Sequence, residues 1–162
     1  MGTVGLVPDF RLGYTDAYYT TTAVAAGLLL ARKGDKLPGS PWTCSLGAQY
    51  NVDVMDHQSF IRVDYEFASR ETGLTPSRDP FVDPVFGNVS SFDPALVPEP
   101  GTSVMGLRAG TTFGNFQATL FADNLFDSHP PLDLNHQDSS TLLFEASTLR
   151  PRTIGVTATY RD

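Results

Sequence analysis

Trp42-Thr43-Cys44-Ser45-Leu46-Gly47-Ala48-Gln49-Tyr50-Asn51-Val52-Asp53-Val54 alternates without a break. Its first, third and every later odd member is apolar or aromatic, and the members between are Thr, Ser, Gly, Gln, Asn and Asp. Successive side chains of a strand point to opposite faces, so this segment is a strand with one apolar and one polar face. Five more segments read the same way: Leu6 to Thr15, Ile61 to Phe67, Met105 to Phe113, Phe116 to Asp123 and Thr153 to Arg161. Their apolar faces pool to 29 positions with no Asp, Glu, Lys or Arg among them. At the chain's charge content of 18%, 29 positions would carry about five. The opposite faces hold 27 positions and nine charges: Asp9, Arg11, Asp53, Arg62, Asp64, Glu66, Arg108, Asp123 and Arg161. A surface touching lipid excludes charge, whereas the interior of a water-filled barrel accepts it. The expected fold is therefore all-β, an antiparallel up-and-down transmembrane β-barrel segment.

The connections support that expectation. Asp16 to Pro41, Ala68 to Thr102 and Phe126 to Arg150 are long, while Met55-Asp56-His57-Gln58 and Gly114-Asn115 are short. Long loops on one side and tight turns on the other are the asymmetry of outer-membrane barrels. Aromatic residues gather near strand ends (Tyr14, Tyr18, Tyr19, Trp42, Phe113, Phe116, Phe126 and Tyr160), where interface girdles would lie. The smallest such barrels have eight strands, so about six are part of a larger wall.

Composition bounds the function classes. The 162 residues carry a net charge of −7 and only isolated basic residues apart from Arg32-Lys33, the wrong balance for nucleic acid. The longest apolar run, Ala23 to Ala31, is nine residues, far short of the roughly 20 that a membrane-spanning helix needs. Met1-Gly2-Thr3-Val4-Gly5 has neither the charged nor the apolar region of a signal peptide, so the barrel reading expects this chain to be the tail of a longer protein. Cys44 has no second cysteine to pair with and lies on the apolar face of its strand.

No phosphate cradle, nucleophile elbow or catalytic dyad is visible, so no enzyme activity and no cofactor is expected. His129, Asp133, His136 and Asp138 share the last long loop but have no recognised metal-ligand spacing, and are read as solvated; no metal site is expected. His57 is expected in an exposed turn. Arg62, Asp64, Glu66, Arg108 and Asp123 project onto the charged face, where neighbouring strands would pair them as ions. Asp79-Pro80-Phe81-Val82-Asp83-Pro84 would lie in a loop on the long side, and its residues do not separate a gripping loop from a filler one.

The last third also carries a family resemblance. Phe121-Ala122-Asp123-Asn124-Leu125-Phe126-Asp127, a loop, then Arg150-Pro151-Arg152-Thr153-Ile154-Gly155-Val156-Thr157-Ala158-Thr159-Tyr160 resembles the carboxyl end of TonB-dependent outer-membrane receptors. In them the penultimate strand ends in an Asn-Leu-Phe/Thr-Asp motif, and the last strand opens with Arg-Pro-Arg. Gly13-Tyr14-Thr15-Asp16-Ala17 and the segment from Gly34 to Trp42 are similar to other parts of these receptors, so the resemblance covers nearly residues 1–162. It implies the last six strands of a 22-stranded barrel. It implies location in the outer membrane of a Gram-negative cell, insertion by the barrel-assembly machinery and contact with outer-membrane lipid. The cargo would be a bulky nutrient such as a ferric siderophore, a cobalamin or an oligosaccharide. Coupling to TonB would run through a plug domain lying amino-terminal to these strands, so this piece would not transport alone. Asn124, Leu125, Phe126, Asp127, Arg150, Pro151 and Arg152 are the motif residues, read as strand-end structure. The family usually ends in an aromatic residue; Tyr160-Arg161-Asp162 departs from that, with Asp162 falling on the lipid side. The rival is a soluble, lipocalin-like barrel whose uncharged face turns inward around a small apolar ligand.

Overall fold

A computed structural model describes residues 4–73, 82–85, 87–88, 92–93, 95–96, 99–136 and 141–161. Six strands form one antiparallel sheet: β1 (Gly5–Tyr14), β4 (Trp42–Val54), β5 (His57–Ala68), β8 (Thr102–Phe113), β9 (Phe116–Asp123) and β12 (Thr153–Tyr160). Each pairs with its neighbours in the order in which the chain presents them. The architecture is all-β, an up-and-down meander, as the alternation demands. The sheet is open: β1 and β12 are its two edges, and closure into a barrel is not seen among the described residues. None of these residues forms a helix long and apolar enough to cross a membrane.

The register keeps the two faces separate over the whole sheet. Leu46 stands opposite Phe10 and Tyr65, Ala48 opposite Val63, Val63 opposite Leu107, and Leu107 opposite Ala122. A slip of one residue in any pair would bring charge onto the apolar face. That face is uncovered. Phe10 is 62% exposed, Ile154 67% and Val156 70%, and no large side chain among the described residues is fully buried. The buried apolar residues are Leu29 and Ala31, in a loop hairpin rather than beneath the sheet. Ring pairs mark both ends of the apolar face. Tyr14 and Trp42 meet at 4.5 Å on the long-loop end, and His57–Phe113 and Phe116–Tyr160 meet at 4.5 and 4.9 Å on the turn end. At about 3.3 Å per residue the 13-residue β4 reaches about 40 Å, enough to cross an apolar band about 25 Å tall at a tilt.

Several details depart from the sequence reading. The first tight turn is Met55-Asp56 alone, with His57 already the first residue of β5 and half-buried against Phe113 rather than free in a turn. Met55 and Asp56 have φ of 51° and 63°, the two positive values of the mirror-image hairpin turn, without the Asn-Gly that normally signals it. Met55→Asn with Asp56→Gly is therefore expected to stabilise the sheet by about 0.5–1 kcal/mol, read as a shift of the urea midpoint. An unchanged or lower midpoint would contradict it. Gly114, at φ 57°, supplies the positive angle of the second turn.

The long connections are also partly structured. They hold three small hairpins: β2 (Ala23–Ala25) with β3 (Leu28–Ala31), β6 (Val82–Asp83) with β7 (Gly87–Asn88), and β10 (Pro131–His136) with β11 (Phe144–Thr148). Backbone bonds Thr15 N to Pro41 O, Leu37 N to Ala17 O and Tyr19 N to Asp35 O continue the β1–β4 pairing into the first connection. There Lys36 sits 3.0 Å from Asp16, whose hydrogen bond and charge hold its ammonium above the usual lysine range. Asp79, Pro80, Phe81, Asp138 and Asp162 lie outside the described residues, as do Pro76, Pro94 and Pro98.

Candidate functional site

The charged face of the sheet carries the first site. Arg62 on β5 and Arg108 on β8 stand directly opposite each other in the register. Two cations there would repel, and Asp64 resolves it. Its carboxylate takes Arg62 at 2.6 and 3.0 Å and Arg108 at 3.3 Å. Arg62 extends further to Asp9 on β1 at 3.1 Å, and Arg108 to Asp123 on β9 at 3.1 Å. Five charged groups from four strands thus form one chain: Asp9, Arg62, Asp64, Arg108, Asp123. Each link is partly exposed, so single pairs stabilise little; together they select the register.

A glycine makes the chain of charges possible. Gly47 on β4 lies between Asp9 and Asp64, opposite both. A Cβ at Gly47 would come within 2.3 Å of the Asp9 carboxylate, so the missing side chain leaves the space through which Arg62 reaches over β4. Gly106 differs: a Cβ there would meet the Asp123 carboxylate at 3.7 Å, an ordinary contact, so the Asp64–Arg108–Asp123 links do not depend on that glycine. Arg62 thus reaches across β4 to a carboxylate two strands away on the same face. A hollow of about 480 Å³ lies along it, lined by these groups with Arg11 and Glu66. Glu66 is exposed and makes no ion pair among the described residues, so it is not a link in the chain. Toward the turns the same face becomes an amide-rich hollow of about 490 Å³ around Gln49, Asn51, Asp53, Gln58, Phe60 and Gln117.

The second site is the junction between β9 and β12, which brings the two carboxyl-terminal motifs together. Asn124 is 5% exposed at φ 50°, a left-handed angle that Asn tolerates better than most residues. Its amide donates to the carbonyls of Ser128 and Arg150, each at 2.9 Å, and its Oδ1 accepts from the Ser128 N–H at 2.9 Å. Leu125 N–H donates to Met105 O, continuing the β8–β9 contact past the end of β9. Asp127, at φ 54°, accepts from the Arg152 N–H at 2.8 Å. One motif therefore grips the backbone of the other at two points, and the last strand enters in register. Phe126 is 71% exposed, and Arg150, Pro151 and Arg152 meet the junction through backbone groups.

Other candidates are placed elsewhere. His129 lies 3.4 Å from Asp127. His136 is not solvated as the loop composition suggests: it is buried against Phe144 and paired with Asp93. That pairing spans 43 residues and leaves no local signal in the sequence. Cys44 is a free thiol on the apolar face. Among the described residues no three His, Cys, Asp or Glu gather as a metal would require. No family model, curated protein or solved structure matches this chain.

Proposed function

We propose that this chain is the carboxyl-terminal part of the barrel wall of a TonB-dependent outer-membrane receptor, a transporter for a bulky nutrient such as a ferric siderophore, a cobalamin or an oligosaccharide. Its six strands line the lumen with the Asp9–Asp123 chain of charges and turn the uncharged face to outer-membrane lipid. The barrel-assembly machinery inserts it as part of a longer protein, whose plug domain couples to TonB. These strands hold cargo or plug but do not transport alone, and they do no covalent chemistry.

One observation carries the reading: a wide apolar face free of charge and uncovered by any described element lies behind a face knitted by ion pairs. Leaving that face in water would expose a patch far beyond what soluble monomers tolerate. The long-loop and tight-turn asymmetry and the Asn124–Arg150 and Asp127–Arg152 contacts add support from the family motifs.

Cell fractionation tests the proposal, with an antibody against the hairpin from Leu132 to Glu145. The receptor reading expects a band well above 17.6 kDa that stays in the outer-membrane pellet after alkaline washing. A band at 17.6 kDa confined to the soluble fraction would overturn it in favour of the soluble binder.

A further inference from the structure

His136 ends β10 and is 7% exposed at its side chain. Both of its ring nitrogens face acceptors. Nδ1 contacts the Asp93 carboxylate, and Nε2 lies 2.7 Å from the carbonyl oxygen of Thr141. A neutral imidazole has one N–H and could donate to only one of them. An imidazolium donates to both. The proton does not belong on Asp93 instead, because that carboxylate also accepts the Ala95 N–H at 2.9 Å, which favours its ionised form. This backbone bond, followed by the histidine, holds the Asp93 carboxyl below the usual carboxylate range. Phe144 stacks on the ring at 4.3 Å and 11°, an arrangement that also favours a cation.

Asp93 faces the ring from the 92–96 segment, and Phe144 from β11. Asp133 on β10 and Glu145 on β11, which is paired with Asn135, alternate onto the other face of the hairpin.

We propose that His136 is a pH-sensitive latch: as an imidazolium it fastens the β10–β11 hairpin to the 92–96 segment, and as a neutral ring it lets go. The two long connections that it joins, after β5 and after β9, both lie on the side of the sheet away from the tight turns. The latch is closed where Asp93 is ionised and the ring is charged. Raising pH through and beyond the histidine range, about 6.5 in an ordinary setting, removes one N–H and opens it. Lowering pH until Asp93 is protonated removes the carboxylate partner and opens it from the other side. Nothing in this device depends on lipid, so it stands or falls separately from the receptor reading.

The test follows the imidazole nitrogens of His136 by NMR between pH 5 and 9, in the full-length protein, with His57 and His129 as internal references. Hydrogen-exchange protection of the Leu134 and Ala146 amides is read on the same samples. The latch predicts both nitrogens protonated at pH 5.5. It further predicts protection, corrected for intrinsic exchange, falling about tenfold as the ring titrates, the effect of losing one charge-assisted hydrogen bond. Asp93→Asn and His136→Gln should each abolish that pH dependence. A ring that is neutral at pH 5.5 overturns the proposal, as does protection that stays level across the titration or keeps its pH dependence in Asp93→Asn.

Discussion

Leu107→Arg is expected to prevent stable insertion of the sheet into a bilayer. Leu107 lies in the middle row of the uncharged face, opposite Val63 on β5 and Ala122 on β9. An arginine at the midplane of a barrel's lipid face costs about 2–4 kcal/mol, and no carboxylate stands on this face to pair with it. Thr112→Arg supplies the contrast. It adds the same side chain to the same strand, but on the opposite, charged face, beside Gln117 in the amide-rich hollow. Folding in vesicles, followed by the gel-mobility shift of unheated barrels, should be lost or strongly reduced for Leu107→Arg and little changed for Thr112→Arg. Equal behaviour of the two variants would remove the distinction between the faces on which the receptor reading rests.

Asn124→Asp should be the most damaging isosteric change in the chain. The amide of Asn124 donates to two carbonyls, Ser128 and Arg150, and a carboxylate can donate to neither. It would set a negative group against two carbonyl oxygens at a site only 5% exposed. Two lost donations at about 1–3 kcal/mol each give an expected destabilisation of roughly 2–6 kcal/mol. Asn124→Gly relieves the positive φ but loses the same bonds, so it should fall between the two. Chemical denaturation of the three proteins would check the order: wild type most stable, then Asn124→Gly, then Asn124→Asp. If the Asn124→Asp protein matched the wild type, the junction would not be what fastens β12.

Much of the sheet is readable from residues alone, because period-two alternation is a local signal that packing here reinforces. Trp42–Val54 announces its two faces in order, and the register then follows from keeping charge off one of them. The Arg62–Asp64–Arg108 meeting is foreseeable for the same reason. What alternation does not reveal is reach. That Asp9 joins the chain depends on Gly47, opposite it on the next strand, leaving a gap, and a glycine on a polar face looks like any small residue until neighbours are known. Met55-Asp56 forms a tight turn without turn chemistry, since the pairing of β4 with β5 along its whole length outweighs two unfavourable φ angles. The loop hairpins are short, and their partners are set by contacts far apart in sequence. Asp93 and His136 are the plainest case: neither has a neighbour in sequence that points to the other.

The central claim is that the uncharged face touches lipid, and a label scan along β9 tests it most directly. With Cys44 replaced by Ser, single cysteines at positions 117 to 122 would carry nitroxide labels in the full-length protein in outer-membrane vesicles. Their collision rates with oxygen and with a polar nickel chelate would then be compared. A strict period of two is expected, with labels at 118, 120 and 122 favouring oxygen and those at 117, 119 and 121 favouring the chelate. The reverse phase, or chelate access at every position, would contradict it.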